Sequence, residues 1–311
     1  MSTFHITLFG KFCVRCQERV IDSLESRKAE ELLCYLLLHR NRAQSREALT
    51  SLFWSDSAPA QSKRCLRQTL WQLQSALEFQ TEMSGESLLS VGPEWIQLNP
   101  RCDLWLDVTA FEQAFLLAHN VPGEKLDPQR AHAIREAADL YQGNLLEGWY
   151  QDWCLYERER LQNIHFAMLD KLIGYCEAQH HYEDGLIYGM RLLSHDRARE
   201  RTHSHLMRLR YLSGDRTGAL RQYEQCVAAL EQELGVKPSQ RTQSLYGLIR
   251  ADKFPEHLAA PTETQAMLEM PTSSLTAMLG NLKQFEFALA AFHTQVDREI
   301  EVIESTLRSR P

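Results

Sequence analysis

The chain has 311 residues, 44% of them hydrophobic and 24% charged, with a formal net charge of −7. That balance excludes a uniformly basic nucleic-acid coat, and the length lets the chain bury more than one core, with about two domains expected. The charge is unevenly placed: residues 1–80 hold 11 Lys or Arg against 8 Asp or Glu, a net of +3, which leaves −10 for the remainder.

The first residues, MSTFHITLFGKF, lack the charged start, apolar run and small-residue cleavage site of a signal peptide. No stretch reaches the roughly 18 apolar residues of a membrane span. Eight cysteines are scattered, several among apolar helix residues, as small core side chains are. A reducing cytoplasm and no membrane segment are the expectations.

Phe4 to Leu8 alternates apolar and polar, Gly10 interrupts, and Phe12 to Cys16 resumes before Val20-Ile21, which predicts a small antiparallel sheet. Cys13 and Cys16 have the spacing of half a zinc site, but tetrahedral zinc needs two more ligands and no second such pair exists. No metal or other cofactor is therefore predicted. Ser26 to His39 is predicted as a helix whose Ala29, Leu32, Leu33, Leu36 and Leu37 form a broad apolar face.

The next stretch, QSREALTSLFWSDSAPAQSKRCLRQTLWQLQSALEF, spans 44–79 and reads as helix, turn, helix. Ser45 can cap a short helix with Ala48, Leu49, Leu52 and Phe53 as its apolar positions. Pro59 suits the first turn of the second helix, where its missing N–H costs nothing. At 100° per residue, Leu66, Leu70, Leu73 and Leu77 fall on one stripe that must face a core. The opposite face carries Gln61, Arg64, Gln68, Trp71, Gln72 and Ser75, flanked by Lys63 and Arg67, with no carboxylate before Glu78. Arg reads guanine edges, Gln reads adenine, and Lys or Arg neutralises phosphate, so these residues and Arg46 are the candidate contacts to double-stranded DNA. From Arg40 to Gln72 six basic residues face two acidic ones, a local patch suited to a limited length of duplex.

Leu88, Leu89 and Val91, then Gly92-Pro93, then Trp95, Ile96 and Leu98 predict a hairpin, with Trp95 packed into its core. Strands, three helices and a terminal hairpin together make a winged helix, whose third helix enters the major groove. From Asp107 onward only helical patterns follow. Tyr182-Glu183-Asp184-Gly185-Leu186 and Arg216-Thr217-Gly218-Ala219-Leu220 repeat a pattern about 34 residues apart, the period of tetratricopeptide-like helical hairpins. The pairs His180-His181 and His203/His205 have no spacing to a fixed carboxylate and are expected as solvated surface histidines.

Residues 254–274, bearing Pro, Thr and acidic groups, are expected as a linker, and 275–311 as a C-terminal helix. There Leu275, Leu282, Leu289, Val296 and Ile303 recur every seven residues, beside Met278, Phe285 and Phe292. Such a seam either pairs two chains as a coiled coil, giving a homodimer, or docks the helix within its own chain.

Taken jointly, LFGKFCV, SRKAEELLCYLLLHRNRAQSREALTSLFWSD, APAQSKRCLRQTLWQLQSAL, DLWLDVTAFEQA and SHDRARERTHSHLMRLRYLSGDRTGALRQYEQCVAALEQELGVKP resemble the Streptomyces antibiotic regulatory protein family of bacterial transcriptional activators. The resemblance implies a mainly α chain: an OmpR-like winged helix (α+β) over 1–103 and an all-α tetratricopeptide-like bacterial transcriptional activation domain over 104–253. It also implies binding to promoter repeats and recruitment of RNA polymerase holoenzyme. By position, Asp107, Phe111 and Glu112 look like the start of the activation domain. Leu206, Met207, Tyr211, Gly214, Ala219, Tyr223, Glu233, Leu234, Gly235 and Pro238 fit its repeat signature, mainly as packing and turn positions. Larger members append an ATPase module, whereas this chain has no G-x-x-x-x-G-K-[ST] loop. No convergent acid, base or nucleophile set points to an enzyme. The competing function is a helical-repeat scaffold that binds another protein without DNA, since solenoids present concave peptide-binding surfaces.

Overall fold

The computed structural model describes residues 4–16, 19–21, 24, 26–78 and 87–253. The expected linker over 254–274 and the helix over 275–311 lie outside the described residues, as does the dimer seam. Strands β1 (Phe4–Thr7), β2 (Cys13–Cys16) and β3 (Arg19–Val20) precede α1 (Arg27–Leu38). Then come β4 (Gln44–Ser45), α2 (Arg46–Phe53), α3 (Pro59–Glu78), the hairpin β5 (Leu89–Val91) and β6 (Trp95–Leu98), and β7 (Leu104–Leu106). Helices follow: α4 (Asp107–Leu117), α5 (Pro128–Leu140), α6 (Asp152–Ala178), α7 (Tyr182–His195), α8 (Glu200–Leu212), α9 (Arg216–Leu234) and α10 (Gln240–Arg250). The protein is mainly α, a winged helix followed by a helical repeat domain.

The N-terminal sheet has the order β3-β2-β1-β7, and it is not purely antiparallel as the sequence suggested. β7 pairs parallel to β1, with Phe4 opposite Leu104 and Ile6 opposite Leu106. Three residues are too few to display alternation, and they run directly into a helical pattern, which hides the strand. A similar omission is β4, two residues that pair antiparallel with β6 and make the wing a three-stranded sheet, order β4-β6-β5.

Cys13 and Cys16 sit three apart on β2, on opposite faces of the strand, so they cannot ligate one ion together. Among the described residues no group of three or more His, Cys, Asp or Glu side chains could hold a metal. No described helix is long and apolar enough to cross a membrane.

One continuous core runs from Phe4 and Ile6 through the leucines of α1 and α3 to Phe111, Leu161 and Leu209, so both halves bury their apolar faces in common. Asp107 welds them. Its Oδ2 accepts from the backbone N–H of Leu8 (2.7 Å) and Phe9 (2.9 Å), and its Oδ1 from Val108 N–H (2.7 Å). Burial pushes its carboxyl up, although those backbone donors pull the other way. Phe53 and Tyr35 meet the Trp153 ring edge-on. Gln151 donates to Glu31 across 2.8 Å, and Glu112 bridges Arg40 of the winged helix to Arg160 of α6.

The repeat pattern matches the helix starts, since α7 opens at Tyr182 and α9 at Arg216. Gly189 is small because a Cβ there would strike the Leu206 side chain of α8, and one on Gly185 would come within 2.8 Å of Leu209. α9 ends at Gly235, whose φ of 66° is left-handed and suits glycine. His203, expected at the surface, is buried. Its Nε2 lies 2.9 Å from the Arg197 carbonyl and its Nδ1 2.8 Å from Gln222 Nε2. That pairing resolves the cost of burying a polar ring inside the α8–α9 hairpin. His180 and His181 are exposed, and His205 is half-buried beside Glu177.

Candidate nucleic-acid interface

Local chemistry sets the approach of α2 to α3. The Ser45 hydroxyl caps α2 by accepting from Ala48 N–H at 3.0 Å, and Leu49 and Phe53 point into the core. Leu52, expected as apolar packing, is exposed. The turn that follows is held by Ser62, buried on the first turn of α3. Its hydroxyl lies 3.2 Å from each of the carbonyls of Trp54, Ser57 and Ala58. Sequence reading passed over Ser62, although a polar residue on the leucine side of a helix signals such a tie.

On α3, Leu66, Leu70, Leu73 and Leu77 are all buried. Gln61, Lys63, Arg64, Arg67, Gln68, Trp71 and Ser75 are all exposed. Arg64, Gln68, Trp71 and Ser75 lie within about 60° of one another around the axis, directly opposite the leucines. Trp71 is 66% exposed. Between Pro59 and Leu77 the helix has no carboxylate, and among the described residues no ion pair engages Lys63, Arg64 or Arg67. Among the described residues this face is therefore cationic, with no carboxylate paired to it.

Two candidates are placed differently. Gln72 is half-buried and accepts from the Ser26 hydroxyl at 3.4 Å, which ties α3 to the N-terminus of α1. Arg46 is also half-buried. Its Nε donates to the Gly92 carbonyl at 3.0 Å while its own N–H donates to Glu94 O at 2.9 Å, so it secures the turn between β5 and β6.

The wing differs from expectation at Trp95, which is 53% exposed and does not pack into the hairpin core. Ile96 takes the buried position opposite Gln44 and Val91, and strand alternation turns Trp95 and Gln97 outward. From Leu88 to Asn99 the wing has no Lys or Arg. Among the described residues, Lys63, Arg64 and Arg67 on α3, Arg42 on the turn before β4, and Arg27 and Lys28 at the start of α1 face solvent.

Residues 106–250 match the family model of the bacterial transcriptional activator domain. A solved structure, Mycobacterium tuberculosis EmbR in complex with a low-affinity phosphopeptide, matches at a TM-score of 0.64. That match covers 86% of this chain and 70% of the EmbR chain at 17% sequence identity, which makes it a likeness of fold. No curated protein sequence matches the chain.

Proposed function

We propose that this chain, whose residues 106–250 match the bacterial transcriptional activator domain, is a transcriptional activator of the Streptomyces antibiotic regulatory protein kind that binds promoter repeats through α3 and recruits RNA polymerase. The observation that carries this reading is the outward face of α3. Arg64, Gln68, Trp71 and Ser75 project from a helix held down by four buried leucines, with Lys63 and Arg67 on its flanks. This is the chemistry of groove reading combined with phosphate neutralisation. The reader lies in residues 1–103, with Arg46 securing the wing, and the helical activation domain occupies 104–253. Pairing of two chains through residues 275–311 would tether two readers and raise their effective concentration on paired half-sites.

An electrophoretic shift assay on genomic promoter fragments, repeated across ionic strength, tests the reading. Phosphate contacts make log affinity fall linearly with log salt. Arg64→Ala is expected to cost about 1–3 kcal/mol on the selected site and little on random DNA. Lys63→Ala is expected to weaken both similarly and to flatten the salt slope by about one. Binding of a protein partner with no salt-sensitive affinity for any fragment would favour the scaffold reading instead.

A further inference from the structure

Resting on the reading of α3 as the DNA-facing helix, we infer that Trp71 contacts the C5-methyl group of a thymine, so that the bound site requires a thymine opposite the middle of α3. Among the described residues, Trp71 is the one large apolar side chain on that face, and no other ring or cation stacks on it. One turn before it stand Arg67 and Gln68, and one turn after it Ser75, all exposed. A ring with Arg67 one turn before it and Arg64 two turns before it, on a helix with no carboxylate between Pro59 and Leu77, is complementary to a polyanion.

Among the base edges of the major groove, an indole has a single apolar choice. Base faces are stacked and open only in single strands. In the major groove the edges present donors and acceptors, and the thymine methyl is their apolar group. Trp71 offers an apolar body with one N–H donor, so the methyl is the contact that uses the ring. Arg64 and Trp71 lie seven residues apart, about 10 Å along the axis. At about 3.4 Å per base step, a helix lying along the groove places the thymine about three pairs from the base that Arg64 addresses.

The test uses the full chain and a promoter fragment selected by it from genomic DNA. Each thymine of the site is replaced in turn by deoxyuridine, which deletes the methyl and keeps base pairing. The wild-type protein is expected to lose about fourfold in affinity at one or two positions, the value of one buried methyl group. Trp71→Ala is expected to bind the thymine site more weakly and to be indifferent to uridine at those positions. Trp71→Phe is expected to retain part of the sensitivity, and because both side chains are exposed the fold should melt unchanged. If every uridine is neutral for the wild type while salt-sensitive binding persists, the inference fails and the DNA reading stands. If Trp71→Ala keeps the same uridine sensitivity, the methyl is read by another residue and the inference again fails. Absence of salt-sensitive binding altogether would remove both.

Discussion

His165 on α6 is fully buried, and its ring stacks on Tyr141 with centroids 4.3 Å apart and planes 12° apart. Neither ring nitrogen has a hydrogen-bond partner among the described residues. Burial, followed by the charges of Arg191 and His195, lowers its pKa from 6.5 to about 3. The folded chain therefore keeps a neutral imidazole at pH values where the unfolded chain has protonated it. With the folded pKa below the unfolded one, the unfolded state binds more protons between about pH 6.5 and pH 3, and stability falls as pH falls through that window. At pH 5 the loss is about 2 kcal/mol relative to neutral pH, and it grows by about 1.4 kcal/mol for each further unit. His165→Phe keeps an aromatic stack and removes the titration. Urea unfolding of both proteins at about pH 7.5 and pH 5 should show the variant gaining about 2 kcal/mol on the wild type at the lower pH. In a melting experiment that difference is roughly 4–8 °C for a domain of this size. His165→Leu serves as a companion should the larger ring overpack the site. A stability difference that does not change with pH would refute the argument, because it would mean the folded imidazole takes its proton as readily as the unfolded one.

Leu73→Ala, at a fully buried position of α3, should cost about 2–5 kcal/mol in urea unfolding and lower DNA affinity with it, since the leucines set the outward face. Arg46→Ala should cost about 1 kcal/mol by removing the bond to the Gly92 carbonyl, and hydrogen exchange should rise at Gly92 and Trp95. Gly189→Ala should cost about 1–3 kcal/mol by forcing Leu206 aside, with DNA affinity in the shift assay unchanged at temperatures where the chain is folded.

Much of the winged helix is legible because its chemistry is periodic. The stripe from Leu66 to Leu77 fixes which side of α3 is buried, and the structure keeps Arg64, Gln68 and Trp71 on the other. What periodicity cannot report is a partner distant in sequence. β4 and β7 are two and three residues long and exist because β6 and β1 pair with them. Trp95 looks like core by composition, yet the pairing register assigns the buried place to Ile96. Arg46 and Gln72 have the residue types of DNA readers, and neighbours 46 residues away in each case engage them. His203 shows the same limit, since its partner Gln222 lies on the next helix.

On the proposed function, the shared core couples promoter binding to the helical domain. Two domains joined by a flexible link would let the reader bind while the other half samples many orientations. Here the junction is built from directional contacts on several sides. Asp107 fixes the loop after β1, Gln151 meets Glu31 on α1, Trp153 packs against Tyr35 and Phe53, and Glu112 holds Arg40 and Arg160 together. Leu146 N–H also donates to Leu8 O, and Glu147 N–H to Gly10 O, so backbone of the helical half extends the N-terminal sheet region. Breaking one such contact leaves the others, and sliding one half on the other would leave buried polar groups such as Asp107 without partners. Because α2 and α3 lean on the same core as Trp153, a duplex bound to α3 as proposed would meet the helical repeats at an angle set by that core. On the proposed function, the spacing between the promoter repeats and the polymerase site is thereby constrained by the fold itself.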